Sequence, residues 1–191
     1  MNTAMTFCLL LAVPRSACVE ALAPTPRRLA PIHLKSGAVL LVDDYKTVLE
    51  TVYAALDTLK IFPRKKKVLI LGEIFEPPGA TDVVYRNVGR RAACVSNMIV
   101  FVGPRSLFEN LAKGAAEAGK NAYHASGGVI EAARLAKGMM TTDTVVLLKG
   151  SGFQRFERIA LLLAKRSATC NRALCPASLT WPCSTCRHLT T

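Results

Sequence analysis

Acidic side chains and histidines are scarce in this sequence of 191 residues. Only 13 aspartates and glutamates stand against 25 lysines and arginines, which gives a formal net charge of +12. This balance favours anionic partners, among them nucleotides, phosphorylated metabolites, nucleic acid and membrane surfaces. The three histidines are His33, His124 and His188, and their spacing supports no Ser/His/Asp or Cys/His catalytic arrangement.

The sequence also lacks an apolar run of the about 18 residues that a membrane-spanning helix needs. Residues 5–13 resemble the apolar core of a signal peptide, but no basic residue precedes them and Arg15 follows shortly after. We therefore expect this stretch to form a helix of a folded domain, and we expect no membrane partner. The predicted compartment is the cytoplasm, or a plastid if the protein is eukaryotic.

No segment reads as a usable P-loop for binding nucleotide phosphates. Residues 114–121 differ from the P-loop pattern at one position, since Asn121 stands where Ser or Thr would hold magnesium. A P-loop lies between a strand and the start of its helix, whereas Gly119 comes at the end of a helical pattern. This segment is therefore predicted to close a helix.

What the sequence does contain is an alternation of five apolar runs with five helix-like segments. The runs are continuous in Val, Ile and Leu, which is typical of strands covered by helices on both faces. The predicted fold class is α/β, a Rossmann-like, mostly parallel sheet with helices on both faces, preceded by a short helical segment and followed by an irregular tail. The predicted strands are 38–42, 68–71, 98–102, 122–124 and 144–148, and the predicted helices are 47–60, 82–95, 106–118, 126–138 and 154–164.

Function is expected beyond the carboxyl ends of these strands, where open parallel sheets bind ligands. Asp43 and Asp44 end the first strand, and their carboxylates can either accept hydrogen bonds from ribose hydroxyls or cap the next helix. Residues 149–152, Lys-Gly-Ser-Gly, form a candidate anion site, because small residues let backbone N–H groups approach a ligand beside a cation. An ordinary strand-to-helix turn is the alternative there. The other residues at strand ends are Glu73, Gly103 and His124.

Two further clusters have plainer interpretations. The basic run at 64–67 has no interleaved aromatic residues, so a solvated loop is favoured over a nucleic-acid contact. Cys183, Cys186 and His188 have zinc-like spacing, but no matching second pair of cysteines accompanies them, and we expect no metal site. Residues 165–191 contain no Asp or Glu and show no period, so we expect a disordered or irregular tail that hangs free.

Five segments, taken in order, resemble motifs of the Mur ligases, the ATP-dependent amide-forming family of peptidoglycan synthesis. The resemblance covers roughly residues 2–164 and is greatest to the branch that adds D-alanyl-D-alanine to UDP-muramoyl-tripeptide. It implies that residues 1–36 are a remnant of the central ATPase domain and that 37–164 are the C-terminal domain. By its composition, 165–191 is an irregular, basic, Cys-containing tail. The segments are Pro-Thr-Pro-Arg-Arg-Leu at 24–29, Leu-Val-Asp-Asp-Tyr at 41–45, Val-Leu-Ile-Leu-Gly-Glu-Ile-Phe-Glu at 68–76, Val-Gly-Arg at 88–90, and Leu-Lys-Gly-Ser at 148–151 followed by Arg155 and Glu157.

In such ligases ATP phosphorylates a substrate carboxylate, and the incoming amine attacks the acyl phosphate. The resemblance implies nucleotide contacts at Arg28 and at Asp43, the latter as ribose acceptor. The implied contacts with the amino substrate are Tyr45, Lys149, Gly150, Ser151 and Arg155.

The implied cofactors are ATP and Mg, both held mainly by domains that would lie upstream of Met1. The implied partners are the nucleotide and a UDP-muramoyl peptide or amino substrate, and nucleic acid is not expected. Residues 46–49, Lys-Thr-Val-Leu, replace the family's Asn-Ala-Asn-Pro, which indicates a divergent member. Because the P-loop is missing, we expect this chain alone to be inactive. The alternative is a non-catalytic basic module that binds nucleic acid or another polyanion.

Overall fold

Strands and helices alternate along the computed structural model, which describes residues 25–177 and 181–190. The predicted helical segment before Pro24 lies outside the described residues. The strands are β1 (Ala30–His33), β2 (Val39–Asp43), β3 (Lys66–Leu71), β4 (Met98–Phe101), β5 (Ala122–His124) and β6 (Thr144–Lys149). The helices are α1 (Leu49–Ile61), α2 (Thr81–Val95), α3 (Arg105–Glu117), α4 (Gly128–Lys137) and α5 (Glu157–Leu163).

The six strands form one sheet in the order β1-β2-β6-β3-β4-β5. All neighbours are parallel except β1, which pairs antiparallel with β2 at the edge. Every residue of β2 and β6 is buried, which explains why the strands are continuous apolar runs rather than alternating patterns. The predicted mostly parallel α/β sheet is confirmed.

Helices cover both faces of this sheet, as predicted. One face packs against α1, α2 and α3, with Leu41 and Leu147 in that core. The opposite face packs against α4 and α5, with Leu40 and Leu148 in the second core. Because successive side chains of a strand point to opposite faces, adjacent residues of β2 and β6 serve different cores.

Helices α2 and α3 cross at backbone contact through two glycines. A Cβ atom on Gly114 would lie 1.8 Å from the carbonyl oxygen of Arg86, and one on Gly89 would lie 2.0 Å from that of Leu111. Any side chain at either position would push the helices apart.

The last helix begins later than predicted. Arg155 has a φ of +53°, a left-handed backbone conformation that does not continue a helix, and α5 therefore starts at Glu157 rather than Gln154. Helix α4 likewise begins at Gly128, and the Glu131 carboxylate, not Ser126, accepts the N–H of Gly127 at 2.6 Å.

The segment after Lys165 is irregular, as predicted, with a 3₁₀ turn at Cys183–Thr185 and no α-helix or strand in its described part. The expectation that it hangs free is wrong. The buried Arg158 guanidinium donates to the carbonyl oxygens of Cys170 at 3.0 Å and Arg172 at 2.8 Å. The tail also packs against α5 through a small apolar cluster of Leu161, Ala168, Cys183 and Leu189. Buried guanidinium groups need acceptors, and the tail supplies them.

Candidate functional site

Asp43 and Lys149 meet at the carboxyl edge of the sheet. The two residues are register partners on the neighbouring strands β2 and β6, and Lys149 Nζ lies 2.9 Å from Asp43 Oδ2. Lys149 is 1% exposed and also donates to the carbonyl oxygen of Lys46 at 2.5 Å. Burial lowers the pKa of the Lys149 ammonium, and the Asp43 carboxylate opposes that shift. The pair therefore fixes the start of the β2–α1 loop.

Asp44 has a different role from its neighbour. Its fully buried carboxylate accepts from Arg27 Nε at 2.8 Å and from the N–H of Glu157 at 2.9 Å. This ties the segment before β1 to the start of α5. The predicted alternative that these aspartates cap the next helix is wrong, because their carboxylates accept from Lys149, Arg27 and the N–H of Glu157 and not from the start of α1.

The backbone donors of the β6–α5 loop are already used within the domain. Gly150 N donates to the carbonyl of Asp43 at 3.2 Å and Gly152 N to that of Tyr45 at 3.0 Å. Ser151 N donates to Gln154 Oε1 at 3.4 Å. These N–H groups are bonded as in a strand-to-helix turn, and an anion at 149–152 would have to compete with these partners.

Three loops at this edge enclose a cavity of about 200 Å³, here called the cleft. Thr47, which is 1% exposed, lines it, and its Oγ1 has no hydrogen-bond partner within the described residues. The rings of Phe75 and Phe153 lie 6.2 Å apart at the same cavity. A buried hydroxyl left unpaired costs about 1–3 kcal/mol, and because this one is closed off from the surface, a bound molecule would reach it only after a shift of the loop that carries Thr47. The lining residues are Tyr45, Lys46, Thr47, Val48, Phe75, Glu76, Ser151, Gly152 and Phe153.

A second cavity of about 300 Å³ lies beyond β3, β4 and β5, and residues 171–173 of the tail form part of its wall. Burial raises the pKa of Glu73, which lines it. Gln154 also lines it and joins two loops, since Oε1 accepts from Glu73 N at 3.1 Å and Nε2 donates to Val102 O at 3.2 Å. A Cβ atom on Gly72 would lie 2.0 Å from Gln154 Oε1, so any other residue at 72 would displace the amide of this side chain.

The remaining residues of the predicted site divide between cleft and tail. Arg28 is exposed and its guanidinium lies 4.5 Å from the centre of the Tyr45 ring, so these two are together. Arg155 is 1% exposed and donates to the carbonyl oxygens of Trp181 and Ala177, each at 2.9 Å. The structure thus places the Arg155 guanidinium against the tail. At the next strand end, His124 Nε2 lies 2.8 Å from the carbonyl of Gly103, which is a structural contact.

Metal ligands do not gather among the residues that the structure describes. Across 25–177 and 181–190, no three side chains of His, Cys, Asp and Glu lie so that they could hold an ion. Burial raises the pKa of the Cys183 thiol to about 12, which disfavours the thiolate that zinc would need from this residue. The same described stretches contain no helix of the length and apolarity needed to cross a bilayer.

Four residues of this region escape sequence reasoning. The sequence assigns no role to Arg27 and treats Asp44 only together with Asp43, yet the two form a salt bridge. Gln154 and Thr47 carry no motif at all. An acidic pair at a strand end with an arginine some 17 positions earlier is a signal too weak to act on without coordinates.

Comparisons with known proteins agree with this architecture. A family model described as Mur ligase, glutamate ligase domain, matches residues 27–152. The MurF ligase from Thermotoga maritima in complex with ADP is 20% identical, with a TM-score of 0.70 over 84% of this chain and 36% of that one. MurF from Acinetobacter baumannii is 23% identical, with a TM-score of 0.66 over 85% and 36%. Escherichia coli FolC in complex with DHPP and ADP is 18% identical, with a TM-score of 0.52 over 84% and 37%.

No curated protein matches the sequence. The chain spans just over a third of the length of these solved structures, and at such identities they show the fold alone. The family model, by contrast, covers more than half of the chain. The chain therefore belongs to the Mur ligase family, of which it carries the C-terminal, glutamate ligase domain.

Proposed function

We propose that this chain serves as the C-terminal domain of an ATP-dependent acid–amino-acid ligase of peptidoglycan precursor synthesis, and that the reaction adds D-alanyl-D-alanine to a UDP-muramoyl peptide. The observation that carries the proposal is the cleft with its unpaired Thr47 hydroxyl, at the sheet edge where Asp43 and Lys149 meet. Catalysis requires a phosphate cradle supplied by other domains, so the chain alone is inactive.

The nucleotide side of the proposal concerns Asp43 and Arg28. Among the described residues, Lys149 bonds to Oδ2 of Asp43, and the side chain remains 13% exposed, so Oδ1 is placed to accept from a ribose hydroxyl. The exposed Arg28 guanidinium adds a cation over the ring of Tyr45. Bound ATP supplies the phosphoryl group that activates the carboxylate. The described residues do not fit a magnesium site, and no step is assigned to magnesium on this chain.

The amino-substrate side concerns the cleft. Its volume suits a dipeptide rather than a larger ligand. Tyr45 and Thr47 offer hydroxyl groups, and Phe75 and Phe153 offer apolar surface that fits methyl side chains. Lys149 acts as a positioning residue, because its ammonium fixes the Lys46 carbonyl and with it the loop that carries Thr47. Arg155 is proposed to contribute only if the tail releases it.

The site is tested by nuclear magnetic resonance with the isotope-labelled chain. D-alanyl-D-alanine is expected to shift the amide signals of residues 45–48 and 151–153. Thr47→Val removes the hydroxyl and keeps the shape, so it should weaken binding about fivefold or more while leaving stability unchanged or higher. Thr58→Val, a hydroxyl on α1 bonded to the Ala54 carbonyl, is the matched control and should not change binding.

Two outcomes contradict the proposal. Dipeptide-induced shifts that map outside the cleft would remove the assigned site. Release of ADP by the chain alone, given ATP, UDP-muramoyl tripeptide and D-alanyl-D-alanine, would show that no second domain is needed.

A further inference from the structure

The end of the sheet opposite the cleft is strongly basic. The loops that precede the parallel strands, together with the last turns of α1 and α4, carry six exposed lysines, here called the amino-end surface: Lys35, Lys60, Lys65, Lys66, Lys120 and Lys137. These six ammonium groups form no ion pair within the described residues. Glu117, the last residue of α3, is the acidic residue at this end that forms ion pairs, and its partners are Arg86 and Arg90 rather than the lysines.

Contacts between the loops hold this surface together. Arg64 donates to the carbonyl of Thr142 at 2.7 Å, and Lys67 donates to the carbonyl of Lys60. A Cβ atom on Gly37 would lie 2.9 Å from the Thr142 side chain, so the loop before β2 touches the same place. Asp143, the one carboxylate in these loops, accepts the backbone N–H of Lys65 at 3.4 Å. The lysines therefore sit on a fixed platform with little charge compensation.

An apolar side chain stands in the middle of these charges. Ile61 ends α1 between Lys60 and the basic run, and it is 81% exposed, more than any other large hydrophobic residue in the described part of the chain. Among the described residues, none of the exposed aromatic rings lies in the loops or helix ends that form this surface, which disfavours base stacking with single-stranded nucleic acid. A lone exposed aliphatic group ringed by lysines suits an interface with lipid headgroups and acyl chains.

We propose that the amino-end surface docks on an anionic lipid bilayer, with the lysines against the headgroups and Ile61 inserted between them. The described residues contain no helix that could cross a bilayer, but contact with the surface of a bilayer does not require one. Docking in this orientation directs the carboxyl end of the sheet, with the cleft, away from the lipid.

The test is sedimentation of the whole chain with vesicles. Binding is expected to vesicles of phosphatidylcholine containing roughly a third phosphatidylglycerol, to be absent with phosphatidylcholine alone, and to fall steeply with added salt. Lys65→Gln with Lys66→Gln should lower partitioning about 30-fold, since each lysine near such a surface contributes about a fivefold factor. Arg105→Gln with Lys113→Gln removes the same charge from exposed sites on α3 and is the matched control, with a much smaller expected change.

Ile61→Ser separates lipid from other polyanions, because it leaves the charge unchanged. It should lower partitioning into the anionic vesicles about tenfold and leave retention on heparin unaltered. Equal binding to both vesicle types, an unchanged Ile61→Ser variant, or retention by heparin without vesicle binding would each overturn the proposal. Circular dichroism of every variant checks that the fold is intact.

Discussion

Arg158 is the residue whose replacement should best reveal how the tail is held. Its guanidinium is 1% exposed and donates to four carbonyl oxygens, two of them in the tail. Methionine has a similar length and keeps the packing of the aliphatic stem, so Arg158→Met removes the donors and the charge without opening a large cavity.

The expected loss of stability is about 3 kcal/mol. Hydrogen bonds from a charged donor contribute about 1.5–3 kcal/mol each. At the lower of these values, the two bonds to the tail together contribute about 3 kcal/mol. Loss of the bonds to the Gln154 and Arg155 carbonyls increases the loss of stability. The variant no longer buries a charge, and this offsets part of the loss. For a chain of this size the loss corresponds to a fall in Tm of about 6 to 12 °C.

Urea unfolding followed by circular dichroism measures the difference, with Arg166→Met as the control. Arg166 is an exposed neighbour whose side chain makes no hydrogen bond in the described residues, so its replacement should stay within about 0.5 kcal/mol of the natural chain. If Arg158→Met also stays within that range, the tail does not depend on the buried guanidinium and the reasoning is refuted. Faster hydrogen exchange at the Thr169 and Cys170 amides should accompany the loss, because both bond within the tail.

Three further perturbations have defined outcomes. Gly114→Ala should lower the free energy of unfolding in urea by about 3 kcal/mol, because the new Cβ meets a carbonyl oxygen at 1.8 Å. Gly138→Ala is the control and should not change it, because Gly138 has a φ of −63° and its Cβ would lie 3.6 Å from the nearest atom. Equal effects would contradict the close helix crossing. At pH 8, site-resolved mass spectrometry should find Cys94 alkylated well before Cys183, whose buried thiol has a pKa of about 12, and comparable rates would mean that the tail is open. Burial raises the pKa of Glu73, so the contribution of this side chain to stability is present below pH 4.5 and is lost as the pH rises through the pKa of the folded state. Glu73→Gln should therefore raise Tm at pH 7 but not at pH 4. A lower Tm of the variant at pH 7 would show that the fold stabilises the carboxylate instead.

The layered sheet was within reach of sequence reasoning because its signals are local. A continuous apolar run predicted a strand at 38–42, and the structure has β2 at Val39–Asp43. Parallel strands bring their carboxyl ends to one edge, which is why Asp43 and Lys149 could be expected to share a groove, and they lie in contact.

Long-range pairing lay beyond the same reasoning. A sequence does not show whether the N–H groups of residues 150 and 152 are bonded, and only the fold shows that the carbonyls of Asp43 and Tyr45 accept them. Arg155 matched a motif, yet a tail without helix or strand period supplies the acceptors for its guanidinium. The unpaired hydroxyl of Thr47 is likewise a property of three loops that are distant along the chain.

The length of the strands separates the two ends of the sheet. The five steps from Thr144 to Lys149 along β6, at about 3.3 Å each, place the two ends of the strand roughly 17 Å apart. Solvent-exposed charges interact little beyond a Debye length of about 8 Å at physiological ionic strength. A change of charge at one end of the sheet therefore has little electrostatic effect at the other end. Either end can be redesigned, or can diverge during evolution, without compensating changes at the other.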